Sequence, residues 1–413
     1  MIGSELPKGW KLTKLGNILC RMTNGLNIEQ TDVCSIDSFP ISRIETIANE
    51  KIDFSRVKYC TPSIDQKQKY LLEDGDILFS HINSDKHLGK TAIYKDIEPL
   101  IHGVNLLLLR CNSELYNSGM LNYLLRYYRY TGVFMGIAQR AVNQSSINQK
   151  KLSNLDIPLP PLTEQKQIAE KLDKLFYQIE TIKEASNKIP ELLKNFRQQV
   201  LTYAVTGKLL ESTPEPRMLG ELIDELKYGT SKKAGYDIEG FPVLRIPNIN
   251  NGEIDSFDLK YVPLDDKEFN QLSLQEGDIL VIRSNGSLSI VGQCAIVRKE
   301  CENWVYAGYL IRIRCTHELL PEYLNYIFQS YQVRKQIVEK SHSMSGVNNF
   351  SADKIKQLEI AWYPVEVQKQ IVEKLNSIFG KLNEIEKQYN TLCEKLEKLP
   401  QTLLCKAFKG ELI

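Results

Sequence analysis

Two stretches of the chain carry apolar residues at alternating spacings of four and three positions, which is the pattern of a heptad repeat. The first stretch runs from Ile168 to Tyr203 and the second from Ile371 to Leu403. A narrow seam with this period predicts a long helix that packs against one partner helix. Because each stretch supplies a partner for the other, we expect an intramolecular two-stranded coiled coil. The predicted helix-pair interface consists of Ile168, Leu172, Leu175, Ile179, Ile182, Ile189, Leu193, Phe196, Ile371, Leu375, Ile378, Leu382, Ile385, Leu392, Leu396 and Leu399.

Three residues interrupt these seams. Ser186 occupies one core position of the first seam, where it either fixes the pairing or is merely tolerated. Pro190 and Pro400 lie inside the two patterns, and each is expected to kink or break its helix. A helix of about 40 residues would be about 60 Å long, which suits a ruler, although helices that only hold two domains together remain the alternative.

Short strands and turns fill the rest of the chain. Apolar runs bounded by Gly and Asn predict strands, and a helical pattern follows them in each half. This mixture predicts an α+β or α/β fold. The predicted strands are Phe39–Ile44, Gly75–Ser80, Thr91–Tyr94 and Asn105–Leu109, then Phe241–Ile246, Gly277–Arg283, Gln293–Val297 and Leu310–Arg314, with helices around Leu121–Leu124 and Leu324–Ile327.

The two halves of the chain repeat one another. Gly75–Asp76–Ile77–Leu78 returns 202 residues later as Gly277–Asp278–Ile279–Leu280, and Gln165–Lys166–Gln167–Ile168 returns 203 residues later as Gln368–Lys369–Gln370–Ile371. This period is too long for a solenoid and has the size of a domain plus a connector. A duplicated domain can approach two-fold symmetry while its copies diverge, which suits a target with two different halves.

Composition narrows the possible roles. The chain has 413 residues, a net charge of +1 and nine cysteines without a Cys-x-x-Cys pair. The small net charge argues against a strong non-specific polyanion binder but allows local basic patches. The cysteine spacings favour reduced thiols over disulfide or zinc frameworks. Without a long apolar run or an apolar leader in Met1–Trp10, we expect a cytoplasmic location.

No catalytic signature is recognisable in the sequence. Phosphate-binding loops, dinucleotide fingerprints and zinc-protease motifs are absent. His81 and His87 share a loop, which is weak support for a metal, and no metal site is predicted. Asp74, Asp76 and Asp278 are better explained as turn residues before a strand than as metal ligands.

Polar loops occupy equivalent places in the two halves while their side chains differ. Arg, Asn, Gln and Ser are residue types that contact base edges and phosphates. For any single residue a solvated loop is the simpler explanation, but divergent loops on a repeated framework would suit two readers of different sites. The candidate DNA-binding residues are Asn24, Arg43, His81, Asn83, Ser84, Lys86, Arg140, Asn143 and Gln144 in the first half, and Thr230, Ser231, Lys232, Lys233, Arg245, Arg283, Ser284, Asn285, Ser287, Ser343, Asn348 and Asn349 in the second.

These motifs together resemble a known family. Pro160–Pro161–Leu162–Thr163–Glu164–Gln165 with Ile168 resembles a signature of type I restriction–modification specificity subunits, the HsdS family. The Gly-Asp-Ile-Leu turns and the helix endings Ala204–Leu209 and Ala407–Leu412 are similar to that family too. The second copy departs from the signature, since it reads Tyr363–Pro364–Val365–Glu366–Val367–Gln368.

The resemblance implies an architecture and a set of partners. Residues 1–161 and 214–363 would be two target recognition domains in a pseudo-two-fold arrangement. Residues 162–213 and 364–413 would be helical spacer regions that pack antiparallel. The chain would be a non-catalytic subunit that reads a bipartite, asymmetric double-stranded DNA target. Two modification (adenine methyltransferase) subunits would dock on the helices and restriction subunits would join them. S-adenosylmethionine, ATP and Mg²⁺ would belong to these partners.

Two other classes of function stay open from the residues alone. The chain could be a coiled-coil scaffold whose globular parts bind peptides, which loss of all binding to duplex DNA would favour. A nuclease with an unrecognised site is the weaker option, and metal-dependent cleavage by the chain alone would support it.

Overall fold

The chain divides into two compact units. The computed structural model describes residues 6–96, 98–141, 144–344 and 346–412. One unit comprises Met1–Ser186 with Thr391–Ile413, and the other comprises Asn187–Asn390. We call them unit 1 and unit 2. The division into recognition domains and helical regions made from the sequence stays a prediction.

Unit 1 is a mixed structure in which strands come first and long helices follow. Short 3-10 helices at Leu15–Ile18, Glu45–Ile47 and Phe54–Arg56 connect the strands. Its elements are β1 (Lys11–Lys14), β2 (Leu19–Asn24), β3 (Phe39–Ile41), β4 (Lys58–Cys60), α1 (Ile64–Tyr70), β5 (Ile77–Phe79), β6 (Ile82–Asn83), β7 (Thr91–Ile93), β8 (Leu107–Cys111), α2 (Ser118–Tyr130), α3 (Val133–Ile137), β9 (Gln139–Ala141), β10 (Gln144–Ser146), α4 (Gln149–Ser153), β11 (Asp156–Leu159) and α5 (Leu162–Ser186).

Unit 2 begins with a long helix and then repeats the order of the globular part, with three additional short strands, Ile249–Asn250, Glu253–Ile254 and Val305–Tyr306. Its 3-10 helices are Leu219–Leu222, Ile246–Asn248 and Lys299–Cys301. Its elements are α6 (Ile189–Val205), β12 (Glu215–Met218), β13 (Ile223–Tyr228), β14 (Phe241–Leu244), β15 (Ile249–Asn250), β16 (Glu253–Ile254), β17 (Lys260–Val262), α7 (Asp266–Leu272), β18 (Ile279–Ile282), β19 (Ser284–Asn285), β20 (Cys294–Ile296), β21 (Val305–Tyr306), β22 (Leu310–Cys315), α8 (Pro321–Phe328), α9 (Tyr331–Lys340), β23 (His342–Met344), β24 (Val347–Asn349), α10 (Ala352–Lys356) and β25 (Glu359–Trp362). The last helix, α11 (Val365–Phe408), belongs to unit 2 up to Asn390 and to unit 1 from Thr391.

A four-stranded antiparallel sheet forms the centre of each unit. Its strand order is β2-β8-β5-β7 in unit 1 and β13-β22-β18-β20 in unit 2. The strands β5 and β18 are continuous apolar runs and are buried along their whole length. Their alternate side chains belong to two different apolar clusters, one of which includes the helices. The named strands pair antiparallel except β14 with β21, so the fold is of the α+β kind.

The helices complete these cores. In unit 1, Leu121 and Leu124 of α2 pack with Leu172 of α5 and with Leu404 and Phe408 of α11 in one buried cluster. Burying a leucine or phenylalanine side chain contributes about 1.5–3 kcal/mol. The end of α11 is therefore an integral part of unit 1.

The helix pairs run antiparallel within each unit. In unit 1, Lys171 Nζ donates to the carbonyl of Leu412 at 2.6 Å, whereas Glu184 near the end of α5 lines a cleft with Pro400. The equivalent pairing in unit 2 is made by α6 and the first part of α11, where Arg197 Nη2 donates to Asn383 Oδ1 at 2.7 Å. The antiparallel coiled-coil expectation is confirmed at the level of each unit.

The two prolines have different outcomes. The first predicted helix is broken, because α5 ends at Ser186 and Pro190 occupies the first turn of α6, where its missing N–H costs nothing. Pro400, by contrast, lies inside α11, which continues to Phe408, so this proline does not break its helix. Gly207 and Gly410 follow the ends of α6 and α11 with left-handed backbone at φ +83° and +74°.

Several predictions on composition can be compared with the structure. The eight predicted strands are confirmed, six of them with shorter bounds, whereas β8 lies two residues later than predicted and β22 extends one residue further. All nine cysteines carry free thiols. Among the described helices, none is long and apolar enough to cross a membrane. Within the described ranges, no group of three or more His, Cys, Asp or Glu side chains is arranged to hold a metal ion.

Candidate nucleic-acid interface

Three polar segments of unit 1 meet at one surface. The strand β10 pairs with both β6 and β9, so Ser145 lies opposite Asn83 on one side and Arg140 on the other. Two loops that are about 60 residues apart in sequence thereby form one small antiparallel sheet. Asn24 at the end of β2 joins them, because its Oδ1 accepts a hydrogen bond from Gln149 Nε2 at 3.2 Å. We call this the three-loop surface of unit 1.

Unit 2 builds the same surface from equivalent segments. The strand β24 pairs with β19 and β23, which places Asn348 between Asn285 and Ser343. Tyr228 at the end of β13 accepts a hydrogen bond from the backbone N–H of Ala352 at 3.1 Å. This contact matches the one made by Asn24 in unit 1, and it places the start of the segment Thr230–Lys233 beside the sheet.

Several predicted readers hold these loops together. Asn83 donates to Ser80 Oγ at 3.2 Å and accepts from the Ser84 N–H, and Ser145 Oγ donates to Asp85. The amide of Asn348 donates to the carbonyls of Asn285 and Gly286 at 3.3 and 2.9 Å. The bonds of Asn83 fix its own turn. Those of Ser145 and Asn348 join loops about 60 residues apart in sequence, so these residues shape the surface from within.

His81 and Ser284 are buried at the base of the two surfaces. Each of these residues is 7% exposed. Burial lowers the pKa of His81 below its ordinary value, so this histidine is neutral near pH 7. Within the described part of the chain, its Nδ1 has no hydrogen-bond partner. His81 therefore contributes no positive charge to the surface.

The exposed groups differ between the two surfaces. Unit 1 presents Ser84, Lys86 and Arg140, and none of the acidic residues that the structure describes forms an ion pair with this lysine or arginine. Unit 2 presents Ser231 and Lys233. The first surface thus carries an arginine at the position where the second has Ser343.

Other candidates in unit 2 are tied to neighbouring groups. Lys232 forms an ion pair with Glu268 at 2.5 Å, and Thr230 Oγ1 accepts from the Lys232 N–H. Arg283 donates from Nε to the Gly308 carbonyl at 2.8 Å and lies 4.8 Å from the centre of the Tyr228 ring. The exposed hydroxyl of Ser287 is hydrogen-bonded to Ser289, and Asn349 is half-buried in β24 opposite Ser284.

Arg43 and Arg245 contact carboxylates on other elements. Arg245 Nη2 donates to Asp258 Oδ2 and to the Asp258 carbonyl, both at 2.8 Å. Arg43 lies 3.6 Å from Glu45. The charge of each arginine is therefore balanced by a nearby carboxylate. The backbones of Gln144 and Ser343 lie in β10 and β23, while Asn143 lies outside the described residues.

A family model covers most of the chain. The model described as the type I restriction modification DNA specificity domain matches residues 7–191 and again residues 212–395. The chain belongs to this family. It is a DNA specificity subunit, and the role of such a subunit is recognition of DNA sequence within a type I restriction–modification enzyme.

Relatives of similar sequence agree with this assignment. The specificity subunit is 30% identical to the EcoKI specificity subunit of Escherichia coli K12, over 100% of this chain and 91% of that one. It is 45% identical to the putative MjaX specificity subunit of Methanocaldococcus jannaschii over 49% of this chain and 47% of the relative.

The fold matches at lower sequence identity. The HsdS subunit from Thermoanaerobacter tengcongensis superposes with a TM-score of 0.65 at 19% identity, covering 98% of both chains. A chain from a structure of the assembly and conformational transition of a type I R-M system gives 0.72 at 20% identity, covering 99% of this chain and 100% of that one.

The predicted helix interface of this specificity subunit is only partly buried. Ile168, Leu172, Ile371 and Leu375, near the globular parts, are at most 1% exposed. Ile179, Leu382 and Leu396 are also buried, whereas Leu175, Ile189, Leu193 and Ile378 are half-buried. Five predicted interface residues are more than a third exposed, and these are Ile182, Phe196, Ile385, Leu392 and Leu399. Ser186 is buried, and its hydroxyl donates to the Lys183 carbonyl at 3.0 Å.

Sequence reasoning missed one structural pair in each copy. Asp76 and Asp278 do hold turns, since each accepts a backbone N–H three residues before it. Each also forms a bidentate ion pair with an arginine of the neighbouring strand, Arg110 or Arg314. The hydrogen bonds to Asp76 raise the pKa of Arg110 above its ordinary value. The sequence does contain a signal for these pairs, namely an arginine at equivalent places of two apolar strands, Arg110 in β8 and Arg314 in β22.

Proposed function

We propose that each unit of this specificity subunit reads one part of a bipartite, asymmetric double-stranded DNA target through its three-loop surface. The observation that carries this proposal is the repetition of one framework with different exposed side chains. A framework that repeats supports one mode of docking on DNA, and side chains that differ support two different sequences.

The charges support recognition through local contacts. The chain has a net charge of only +1, while Lys86, Arg140 and Lys233 present cations on the two surfaces. Arginine binds guanine in the major groove, and exposed lysines bind phosphates. Partner subunits would supply the remaining phosphate contacts.

The helix pairs are proposed to set the unread spacer and to dock two modification subunits. The exposed apolar residues along the helices, Ile182, Phe196, Ile385, Leu392 and Leu399, support a surface that a partner covers. Restriction subunits would join this complex. S-adenosylmethionine, ATP and Mg²⁺ would be bound by these partners, and the complex would act in the cytoplasm.

Genome-wide mapping of adenine methylation tests the proposal. The chain would be expressed with its neighbouring methyltransferase subunit in a strain that lacks other adenine methylation. A two-part motif with a fixed unread gap is the expected result. A soluble complex that produces no new motif would favour the scaffold function instead.

Variants of the helices and of one surface sharpen the test. Deleting one heptad from α5 together with the facing heptad of α11 should change the gap and leave both half-sites intact. Substituting Arg140 by Ala should change the preference at one half-site only. A heptad deletion that leaves the gap unchanged would show that the helix length does not set the spacer.

A further inference from the structure

In each unit the globular part contacts its long helix through a tyrosine–phenylalanine pair. Tyr123 of α2 stacks on Phe176 of α5, with ring centres 5.2 Å apart and planes at 24°. Tyr326 of α8 meets Phe379 of α11 edge-on at 5.4 Å. Each tyrosine hydroxyl donates to a residue one turn earlier on the same long helix, Asp173 or Asn376. The same junction is therefore built twice.

An arginine lies over the phenylalanine in both junctions, but it comes from different helices. The guanidinium carbon of Arg126, on α2, lies 4.6 Å from the centre of the Phe176 ring. That of Arg197, on α6, lies 4.6 Å from the centre of Phe379. The residue of unit 2 equivalent to Arg126 is Gln329, and the residue of unit 1 equivalent to Arg197 is Pro400. Duplication of one residue cannot explain this agreement, which indicates that the junction needs a cation at this ring.

The residues around the arginine differ between the two units, and they differ together. Arg126 Nε lies 2.7 Å from Glu50 Oε2, and Glu50 has left-handed backbone at φ +59°, which a non-glycine residue rarely adopts. The equivalent residue in unit 2 is Gly252, at φ +91°. A Cβ atom on Gly252 would come within 2.6 Å of Gln329 Nε2. In unit 2, Gln329 therefore fits beside Gly252, whereas in unit 1 Arg126 pairs with Glu50.

We propose that these residues form a clamp that fixes the angle of each globular part on its helix and thereby the length of the unread DNA gap. The clamp comprises Glu50, Tyr123, Arg126 and Phe176 in unit 1 and Arg197, Tyr326 and Phe379 in unit 2. The proposal rests on the proposed function. Its residues are positioning residues, since none of them belongs to a three-loop surface.

Loss of the clamp should change the gap lengths that the complex accepts and should not change the bases that each unit recognises. One base pair of gap corresponds to about 3.4 Å along the duplex. A globular part that is free to tilt on its helix would bring its surface to neighbouring gaps as well. The chemistry of the three-loop surface would be unchanged, so the same bases would be read.

The first test uses Arg126→Ala in the full chain, assembled with the methyltransferase subunit. Methylation would be measured on duplexes whose gap is correct, one base pair shorter or one base pair longer, and also mapped across the genome. Methylation at the wrong gaps should rise about tenfold relative to the correct gap, an effect within reach of one desolvated cation–π contact plus an ion pair. The base sequence recognised at each half-site should not change. Arg56→Ala, which removes an exposed arginine of the same unit, is the matched control.

Two results would overturn the proposal. One is a uniform loss of methylation with a single gap retained, and the other is a change in the half-site letters. If the wild-type complex itself gives no two-part motif, the proposed function fails. If the wild type gives the motif and Arg126→Ala keeps the gap, only the clamp fails.

Transferring the corresponding residues of unit 2 to unit 1 provides a second test. The triple variant Glu50→Gly, Arg126→Gln and Pro400→Arg gives unit 1 the residues found in unit 2. It should restore the strict gap that Arg126→Ala loses, and it decides the matter if the single variant is insoluble. A graft that is insoluble or still tolerates the wrong gaps would count against the clamp.

Discussion

Replacing Asp76 by Ala should destabilise the central sheet of unit 1 by about 3 kcal/mol. Asp76 is fully buried. Its carboxylate accepts hydrogen bonds from Arg110 Nε and Nη2 at 2.7 and 2.8 Å and from the Glu73 N–H at 2.8 Å. Removing one partner of a buried ion pair costs about 3–5 kcal/mol. The lower end applies because the Glu73 carboxylate remains beside Arg110.

Hydrogen exchange measured by mass spectrometry can follow this loss locally. Peptides covering β5 and β8 should exchange about two orders of magnitude faster in the variant, since each 1.4 kcal/mol corresponds to about tenfold. Peptides covering β18 and β22 of unit 2 serve as an internal reference. Lys14→Ala, which breaks an exposed ion pair with Asp156, should cost under about 1 kcal/mol. An increase of less than about fivefold in β5 and β8 would refute the reasoning.

Three further predictions concern pH, salt and the helix proline. Burial lowers the pKa of His102 to about 4, so between pH ~6.5 and ~4 the unfolded chain binds more protons than the folded chain. Acidification through this window should therefore lower the free energy of unfolding of unit 1 by up to about 3 kcal/mol. Urea unfolding at several pH values should show this decrease, and His102→Gln should abolish it. Lys86→Ala should reduce the slope of log Kd against log salt for duplex binding by about 1, whereas Arg140→Ala should instead relax the base preference at one half-site; an unchanged slope for Lys86→Ala would place this lysine away from DNA. Pro400→Ala restores a backbone donor and should stabilise α11 by about 1–3 kcal/mol, seen as slower exchange over residues 391–408; unaltered exchange would show that the helix already compensates for the proline.

The long helices and central strands could be predicted because their signal is local. The heptad spacing of Ile168, Leu172 and Leu175 specifies a helix by itself, and Pro190 marks where α5 and α6 separate. Burial was harder to foresee. Ile182 and Ile385 obey the same spacing yet are 45% exposed, because a seam shows which face is apolar but not whether the partner helix covers it.

The three-loop surface could be predicted only as a list of candidates. Residue types and repeated positions selected Asn83, Arg140 and Asn348 alike. The structure separates them, since Arg140 is exposed while the amide of Asn83 bonds within its own loop and that of Asn348 bonds to the carbonyl of Gly286 in the neighbouring loop. This distinction depends on strand pairings between loops distant in sequence, such as Ser145 with Asn83. A single sequence carries no direct signal for such pairings.

The division of α11 between the two units has a consequence for synthesis on the ribosome. Leu404, Ala407 and Phe408 are core residues of unit 1, but they are translated only after the whole of unit 2. At about 5–20 residues per second, the first 186 residues wait about 10–40 s for the segment that completes their core. During this interval the apolar face of α5 is without its partner in unit 1. We expect the nascent chain to occupy chaperones longest at this stage, and truncation before Leu404 to leave a product that aggregates or is degraded.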